Sequence, residues 1–268
     1  MSEKSNPQSA LEQQIYEYWN RQPCSIKHSK NPIGSREYFL DLSQRRSIIV
    51  DAENFQSNFV DFESWKDKRV LEIGCGVATD GARFAQAGAD YVGIDLTDSA
   101  IELARKRFDL FGLPGQFKVA NAAEPETFQD LGTFDLVYSW GVIHHWPDLD
   151  VLLSNIHACL KPNGIFIFLV YAKNSWKHSM VLAGLAQYEA QDNCPFVDAY
   201  YEEEVRGFLS GRFEVLDLQQ RGTFMYNVDK YKQGILELEP WFAAMPEAIR
   251  TAVDRQLGGH YIGKARKI

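Results

Sequence analysis

Four positions in the first half of the chain stand at spacings that suit nucleotide chemistry: Glu72, Gly74, Gly76 and Asp95. Paired glycines let a backbone approach a ligand, and a helix starting behind them points free N–H groups at it. An acid roughly 20 residues further on is placed to accept ribose hydroxyls. Glu72, two residues before Gly74, would repel a pyrophosphate and attract a cationic group. A second candidate lies downstream. His144 and His145 are the only adjacent histidines in the chain, and an imidazole is a candidate general base near neutral pH. Neighbouring side chains diverge, so at most one of the pair faces a substrate; the other holds the loop or a cofactor.

The elements that must position these residues follow from local pattern. Val70 to Ile73 is an apolar run of strand length, broken by Gly74-Cys75-Gly76. From Val77 the pattern turns helical, with a small-residue face of Ala78, Ala82, Phe84, Ala85 and Ala87, and Gly88 ends it. Tyr91 to Ile94 is a second apolar run closing on Asp95. Strand, glycine turn, helix and parallel strand make one right-handed βαβ unit.

Two ligands fit that unit, a dinucleotide or S-adenosylmethionine. Thr79 stands where the dinucleotide fingerprint needs a third glycine, and Glu72 disfavours a pyrophosphate. The Glu72-Ile73-Gly74-Cys75-Gly76 run resembles the first motif of the class I S-adenosylmethionine-dependent methyltransferases. Phe134 to Ser139 resembles that family's fourth strand, and Leu160 to Gly164 its turn into the fifth. The resemblance implies an α/β fold: a doubly wound, seven-stranded, mostly parallel sheet whose last strand is antiparallel. It implies S-adenosylmethionine as cofactor, held by Glu72, Gly74, Cys75, Gly76, Asp95, Leu96, Asn121, Ala122, Ser139 and Trp140. Asn121 replaces an acid common at that place, but its side-chain carbonyl can still accept an N–H bond. His144 and His145 fall at the end of the fourth strand, beside the methyl group.

Around this frame the chain reads as two regions, an N-terminal helical lid over 1–65 and the cofactor domain over 66–268. Leu11, Ile15, Tyr18 and Trp19 fall at helical spacing up to Pro23. Ser35 caps a second helix carrying Tyr38 and Phe39, an aromatic stripe that reads as core, with the resemblance offering a lid role as the alternative. Phe55, Phe59, Phe62 and Trp65 pack the approach to the first strand. Two insertions, near 172–200 and 222–257, read as substrate caps. The first mixes aromatics with Gln187, Glu189, Gln191 and Asn193, which makes Tyr171, Gln187 and Gln191 the candidate substrate contacts. The second is expected to be helical from Tyr231 and again from Pro246.

Composition narrows the partners. The formal net charge is −8, with no run of Lys or Arg to attract a nucleic-acid backbone. None of the four cysteines forms a CxxC pair, so no metal or dithiol site is expected. No apolar run reaches membrane-spanning length and no signal peptide precedes Leu11, giving a cytoplasmic location as the expectation. The implied function is methyl transfer to oxygen or nitrogen of a small polar metabolite. Methylation of a peptide or protein side chain, and cofactor binding without methyl transfer, are the two alternatives. The acceptor, the need for a base and the oligomeric state are left open by the sequence.

Overall fold

The computed structural model describes residues 7–23, 29–49, 55–186, 193–233 and 235–268. Its strands are β1 (Arg69–Ile73), β2 (Asp90–Asp95), β3 (Gln116–Val119), β4 (Phe134–Trp140), β5 (Leu160–Tyr171), β6 (Phe213–Arg221) and β7 (His260–Lys267). They form one seven-stranded sheet in the order β3-β2-β1-β4-β5-β7-β6 among the described residues. β1 pairs in parallel with β2 and β4, while β7 runs antiparallel to both β5 and β6. The expected doubly wound sheet with an antiparallel last strand is the one observed.

The helices are α1 (Pro7–Arg21), α2 (Arg36–Ile49), α3 (Phe55–Val60), α4 (Thr79–Gln86), α5 (Asp98–Phe111) and α6 (Leu149–Cys159). They continue as α7 (Trp176–Leu182), α8 (Glu202–Leu209), α9 (Val228–Lys232), α10 (Pro240–Ala243) and α11 (Glu247–Leu257). Alternate residues of the central strands feed two cores. Leu71, Ile73 and Val137 pack with Leu152, Leu153 and Ile156 of α6 and Val205 and Leu209 of α8. Val70, Leu136 and Tyr138 pack on the other face with Phe59, Phe84, Ala104 and Phe108 from α3, α4 and α5. Burial on both faces is why these strands are nearly continuous in apolar residues. Each fully buried large apolar side chain contributes about 1.5–3 kcal/mol, which fixes the strand ends that carry the polar groups.

From β1 the chain runs through α4 to β2 on one side, while β4 lies on the other. The sheet therefore reverses its winding between β1 and β4. In open α/β sheets the crevice beyond the carboxyl ends at such a point is where ligands bind.

Several local expectations change. Of the two readings of Tyr38 and Phe39, core is the one observed: they are fully buried against Leu42 and Val77, between α2 and the glycine turn. The helix after the glycines begins at Thr79 because Ala78 is in the left-handed conformation, φ 51°. Tyr231 lies near the end of the short α9 instead of starting a helix, its ring stacked on Tyr226. Ser35 does cap α2, its hydroxyl accepting the Tyr38 amide at 3.1 Å. Phe59 and Phe62 are buried beside Val70, with Phe55 and Trp65 packed against them. Gln187, Glu189 and Gln191 lie outside the described residues. Among the described residues no helix is long and apolar enough to cross a membrane.

Candidate cofactor and acceptor site

A cleft of about 200 Å³ opens beyond the carboxyl ends of β1 and β4. Its floor is the glycine turn. Gly74 and Cys75 donate their amides to the Ile94 carbonyl at 2.8 and 3.0 Å, folding the turn back onto β2. Gly74 has φ +69°, and a Cβ there would collide with Val142 of the segment after β4. Only glycine permits both the left-handed backbone and this close approach.

Asp95 ties the turn to the next helix. Its Oδ2 accepts the Gly76 amide at 3.0 Å, and its Oδ1 accepts the Thr97 amide and hydroxyl at 3.0 and 2.8 Å. Burial raises the Asp95 pKa, and the three hydrogen bonds oppose that rise. A carboxylate offers about four acceptor sites, so about one is open to a ligand hydroxyl.

Glu72 is buried at the tip of β1 and lines the cleft. The Tyr91 hydroxyl donates to its Oε2 at 2.6 Å. Burial first, and the charge of Asp80 next, hold its pKa at about 8, against the Tyr91 bond, which lowers it. Asp80, in the first turn of α4, is 2 % exposed. Burial pushes its carboxyl up, but Arg46 outweighs that with charge and hydrogen bonds and leaves it below the usual range. Arg46 grips Asp80 with Nε and Nη2, and Gln56 Nε2 and the Tyr138 hydroxyl donate to Oδ2 at 3.0 and 2.9 Å. Helix α2 of the N-terminal region thus reaches the cleft through Arg46, and α1 does so through Ile15 and Trp19.

Leu96, Asn121 and Ala122 line the end of the cleft beside β2 and β3, and Trp140 lines the end beside β4. The Asn121 side-chain carbonyl already accepts the Ala123 amide at 2.9 Å, forming a local turn. Cys75 lines the floor, its thiol pushed well up by burial and then by the Asp95 charge. Ser139 is displaced from the expected set: it is fully buried, and its hydroxyl donates to the Ile73 carbonyl at 3.3 Å, bridging β4 to β1.

The two histidines separate. His145 lines the cleft with Trp146, and its ring meets Trp19 at 5.1 Å. Its Nδ1 lies 3.0 Å from the Phe196 carbonyl, which selects the tautomer with the proton on Nδ1 and leaves Nε2 as acceptor. His144 is fully buried, 4.1 Å from the Tyr171 ring between centroids, and neither ring nitrogen reaches a hydrogen-bond partner among the described residues. Neither His144 nor Tyr171 is among the cleft-lining residues. The expectation of a base titrating near neutrality is corrected for both: burial pushes His145 down to about 4 and His144 well below the ordinary value.

Asp80, Arg46, Tyr91 and Trp19 were not legible as site residues. Asp80 reads in sequence as an ordinary first-turn acid, and Arg46 lies 34 positions from its partner. The ionisable groups lining the cleft are three carboxyls, Glu72, Asp80 and Asp95, and one guanidinium, Arg46, which is paired with Asp80; a cationic ligand would draw Glu72 into its ionised form. That balance suits a ligand carrying positive charge and opposes a pyrophosphate.

Fold and cleft together define a Rossmann-like domain built for a cationic nucleoside ligand. Residues 71–166 match the methyltransferase-domain family. Ubiquinone biosynthesis O-methyltransferase of Actinobacillus pleuropneumoniae serotype 5b is 29% identical over 120 residues, 44% of this chain and 51% of that protein. The protein of the same name from Bordetella avium is 33% identical over 114 residues, 41% of this chain and 46% of that protein. The chain thus spans about half the length of the curated relatives it matches. In fold it is similar to the magnesium protoporphyrin IX methyltransferase of Synechocystis PCC 6803, with a TM-score of 0.59, 14% identity, and coverage of 96% of this chain and 100% of that one. Residues 71–166 are thus a methyltransferase domain, and the fold around them is that of the S-adenosylmethionine-dependent methyltransferases.

Proposed function

We propose that this chain transfers a methyl group from S-adenosylmethionine to a hydroxyl oxygen of a small molecule. The observation that carries this reading is the cleft itself, with its acidic floor, its aromatic rim and one imidazole acceptor at the β4 end. The name shared by the matched relatives supports oxygen over nitrogen as the atom methylated. When bound, the cofactor supplies an electrophilic methyl group on a sulfonium leaving group.

The rest of the chemistry falls to the chain. In this reading Glu72 pairs with the ammonium group and Arg46 with the carboxylate of the amino-acid portion. Asp95 takes a ribose hydroxyl, and Asn121 and Ala122 border the base. Trp19, Trp140 and Trp146 exclude water and favour a cation beside their rings. His145 Nε2 accepts the proton of the attacking hydroxyl while the Phe196 carbonyl holds Nδ1–H and keeps the ring oriented. Positioning of the nucleophile supplies most of the rate, and the proton acceptor contributes roughly 10²–10⁴-fold. Helices α1 and α2 serve as a cover over the cleft, through Trp19 and Arg46. The test is an acceptor panel of phenols, catechols, amines and peptides incubated with methyl-labelled cofactor, with product mass and label position read out. Transfer to a hydroxyl of the small molecules is expected; transfer confined to amines or peptides would overturn the assignment.

A further inference from the structure

Four elements meet on one buried carboxylate. Asp80 of α4 accepts from Arg46 of α2, Gln56 of α3 and Tyr138 of β4. Arg46 takes Oδ1 with Nε at 3.0 Å and Oδ2 with Nη2, while Gln56 and Tyr138 reach Oδ2 at 3.0 and 2.9 Å. A carboxylate offers about four acceptor sites, and these donors fill them. Asp80 borders the cleft, yet its charge is committed to Arg46 and not offered to a ligand. Arg46 is the member of the network that a ligand can reach: its side chain is 25 % exposed and lines the cleft.

The two neutral donors are themselves fixed. Gln56 is fully buried, and Arg83 Nη1 donates to its Oε1 at 2.9 Å. That bond sets which end of the amide is the carbonyl, so Nε2 faces Asp80 and donates also to the Tyr138 hydroxyl at 2.8 Å. The hydroxyl accepts there and donates its own proton to Asp80. The Tyr138 ring is fully buried, stacked on Trp140 and edge-on to Phe84, with centroids 5.6 and 5.2 Å away. Neither Gln56 nor Tyr138 is among the cleft-lining residues. Burying an amide and a phenol is costly unless both are hydrogen-bonded, and here their donors converge on the carboxylate that holds Arg46.

We infer that Gln56 and Tyr138 are positioning residues for the amino-acid portion of the cofactor: they lock Asp80, and through it hold the Arg46 guanidinium at the cleft. The inference rests on the reading above that Arg46 takes the carboxylate of that portion. An arginine side chain loses rotamer freedom when it binds, and two-point pairing with a fixed carboxylate removes that freedom before the ligand arrives.

The test compares two ligands by calorimetry. One is S-adenosylhomocysteine; the other is 5′-methylthioadenosine, which keeps the nucleoside and the thioether but lacks the ammonium and carboxylate. Tyr138→Phe keeps the packed ring, and Gln56→Met keeps the length of the side chain. Each should weaken S-adenosylhomocysteine roughly three- to ten-fold, less than the full worth of a hydrogen bond to a charged group because the other donor still holds Asp80. Affinity for 5′-methylthioadenosine should not change, which also reports that the cleft is folded. In an Arg46→Ala background neither substitution should weaken S-adenosylhomocysteine further, since the group they act through is gone. The two substitutions lie on different elements, so the test does not hang on either one folding. Equal losses for both ligands, no loss in either variant, or losses that persist undiminished beside Arg46→Ala would overturn the inference while leaving the role of Arg46 intact. If Arg46→Ala itself leaves the ratio of the two affinities unchanged, the assignment of Arg46 to the carboxylate fails and the inference fails with it.

Discussion

The Tyr91 hydroxyl reaches Glu72 at 2.6 Å because Gly81 of α4 has no side chain. A Cβ at position 81 would overlap the Tyr91 hydroxyl and sit 3.0 Å from Glu72 Oε2. Gly81→Ala is therefore expected to destabilise by about 1–3 kcal/mol despite the better helix propensity of alanine. Thermal unfolding checks this. The double variant with Tyr91→Phe should recover only part of the loss, since it removes the hydroxyl but leaves the ring carbon Cζ 2.4 Å from the added Cβ. An unchanged or higher melting temperature for Gly81→Ala alone would show that the pair does not depend on this glycine.

Glu72 gives a pH dependence whose sign is fixed. Its folded value of about 8 lies above the ordinary 4.5, so between those values the folded chain holds a proton that the unfolded chain has released. Stability from this group is full below about pH 4.5 and is lost as pH rises toward 8, by up to about 1.4 kcal/mol per pH unit. Denaturant unfolding of the ligand-free protein should show this slope, and Glu72→Gln should lack it. A cationic ligand favours the ionised form, so cofactor affinity should rise with pH up to about 8 and then level off. Equal slopes in the parent and Glu72→Gln would contradict this.

Asp95→Ala removes one ligand acceptor and also unties Gly76 and Thr97. Cofactor affinity is expected to fall by roughly ten-fold to a hundred-fold, the worth of one hydrogen bond to a charged group. Asp95→Asn keeps the shape and loses the charge, so it should fall between. Calorimetry with S-adenosylhomocysteine is the measurement. A dissociation constant unchanged in Asp95→Ala would remove Asp95 from the site.

The βαβ unit, the glycine turn and the position of Asp95 were legible because each rests on a short local pattern, whereas the sheet as a whole was legible only through the family resemblance. The strands announce themselves by apolar runs, and Gly74 and Gly76 by the turn they must make. What was hidden is what the fold assembles across distance. Asp80 meets Arg46 and Tyr138 only after α2 and β4 have docked on α4, and none of the three carries a local signature. Burial was hidden too. Ser139 and Tyr171 lie near the ends of β4 and β5, and His144 just after β4, yet all three are buried away from the cleft wall. Adjacent positions at a strand end diverge, and their sequence types do not say which one turns outward.

His145 and His144 make opposite predictions. His145→Gln should lower kcat by roughly 10²–10⁴-fold with cofactor binding intact, because it removes the acceptor at Nε2. His144→Gln should act through stability and leave kcat within a few-fold where the protein folds. Because burial holds His145 at about 4, no activity limb near pH 6.5 is expected from it; its limb should fall near 4. Steady-state kinetics across pH distinguishes the two, and a histidine limb at 6.5 that vanishes in His145→Gln would show that the ring is more exposed to solvent than its packing indicates.

Methyl transfer to oxygen is tested by following the label. The chain is incubated with methyl-labelled S-adenosylmethionine and a panel of hydroxylated small molecules, and both products are quantified. One S-adenosylhomocysteine is expected for each O-methyl group formed, with loss of both products in His145→Gln. Tight cofactor binding with no S-adenosylhomocysteine formed from any hydroxylated acceptor, or label found on nitrogen, would contradict it.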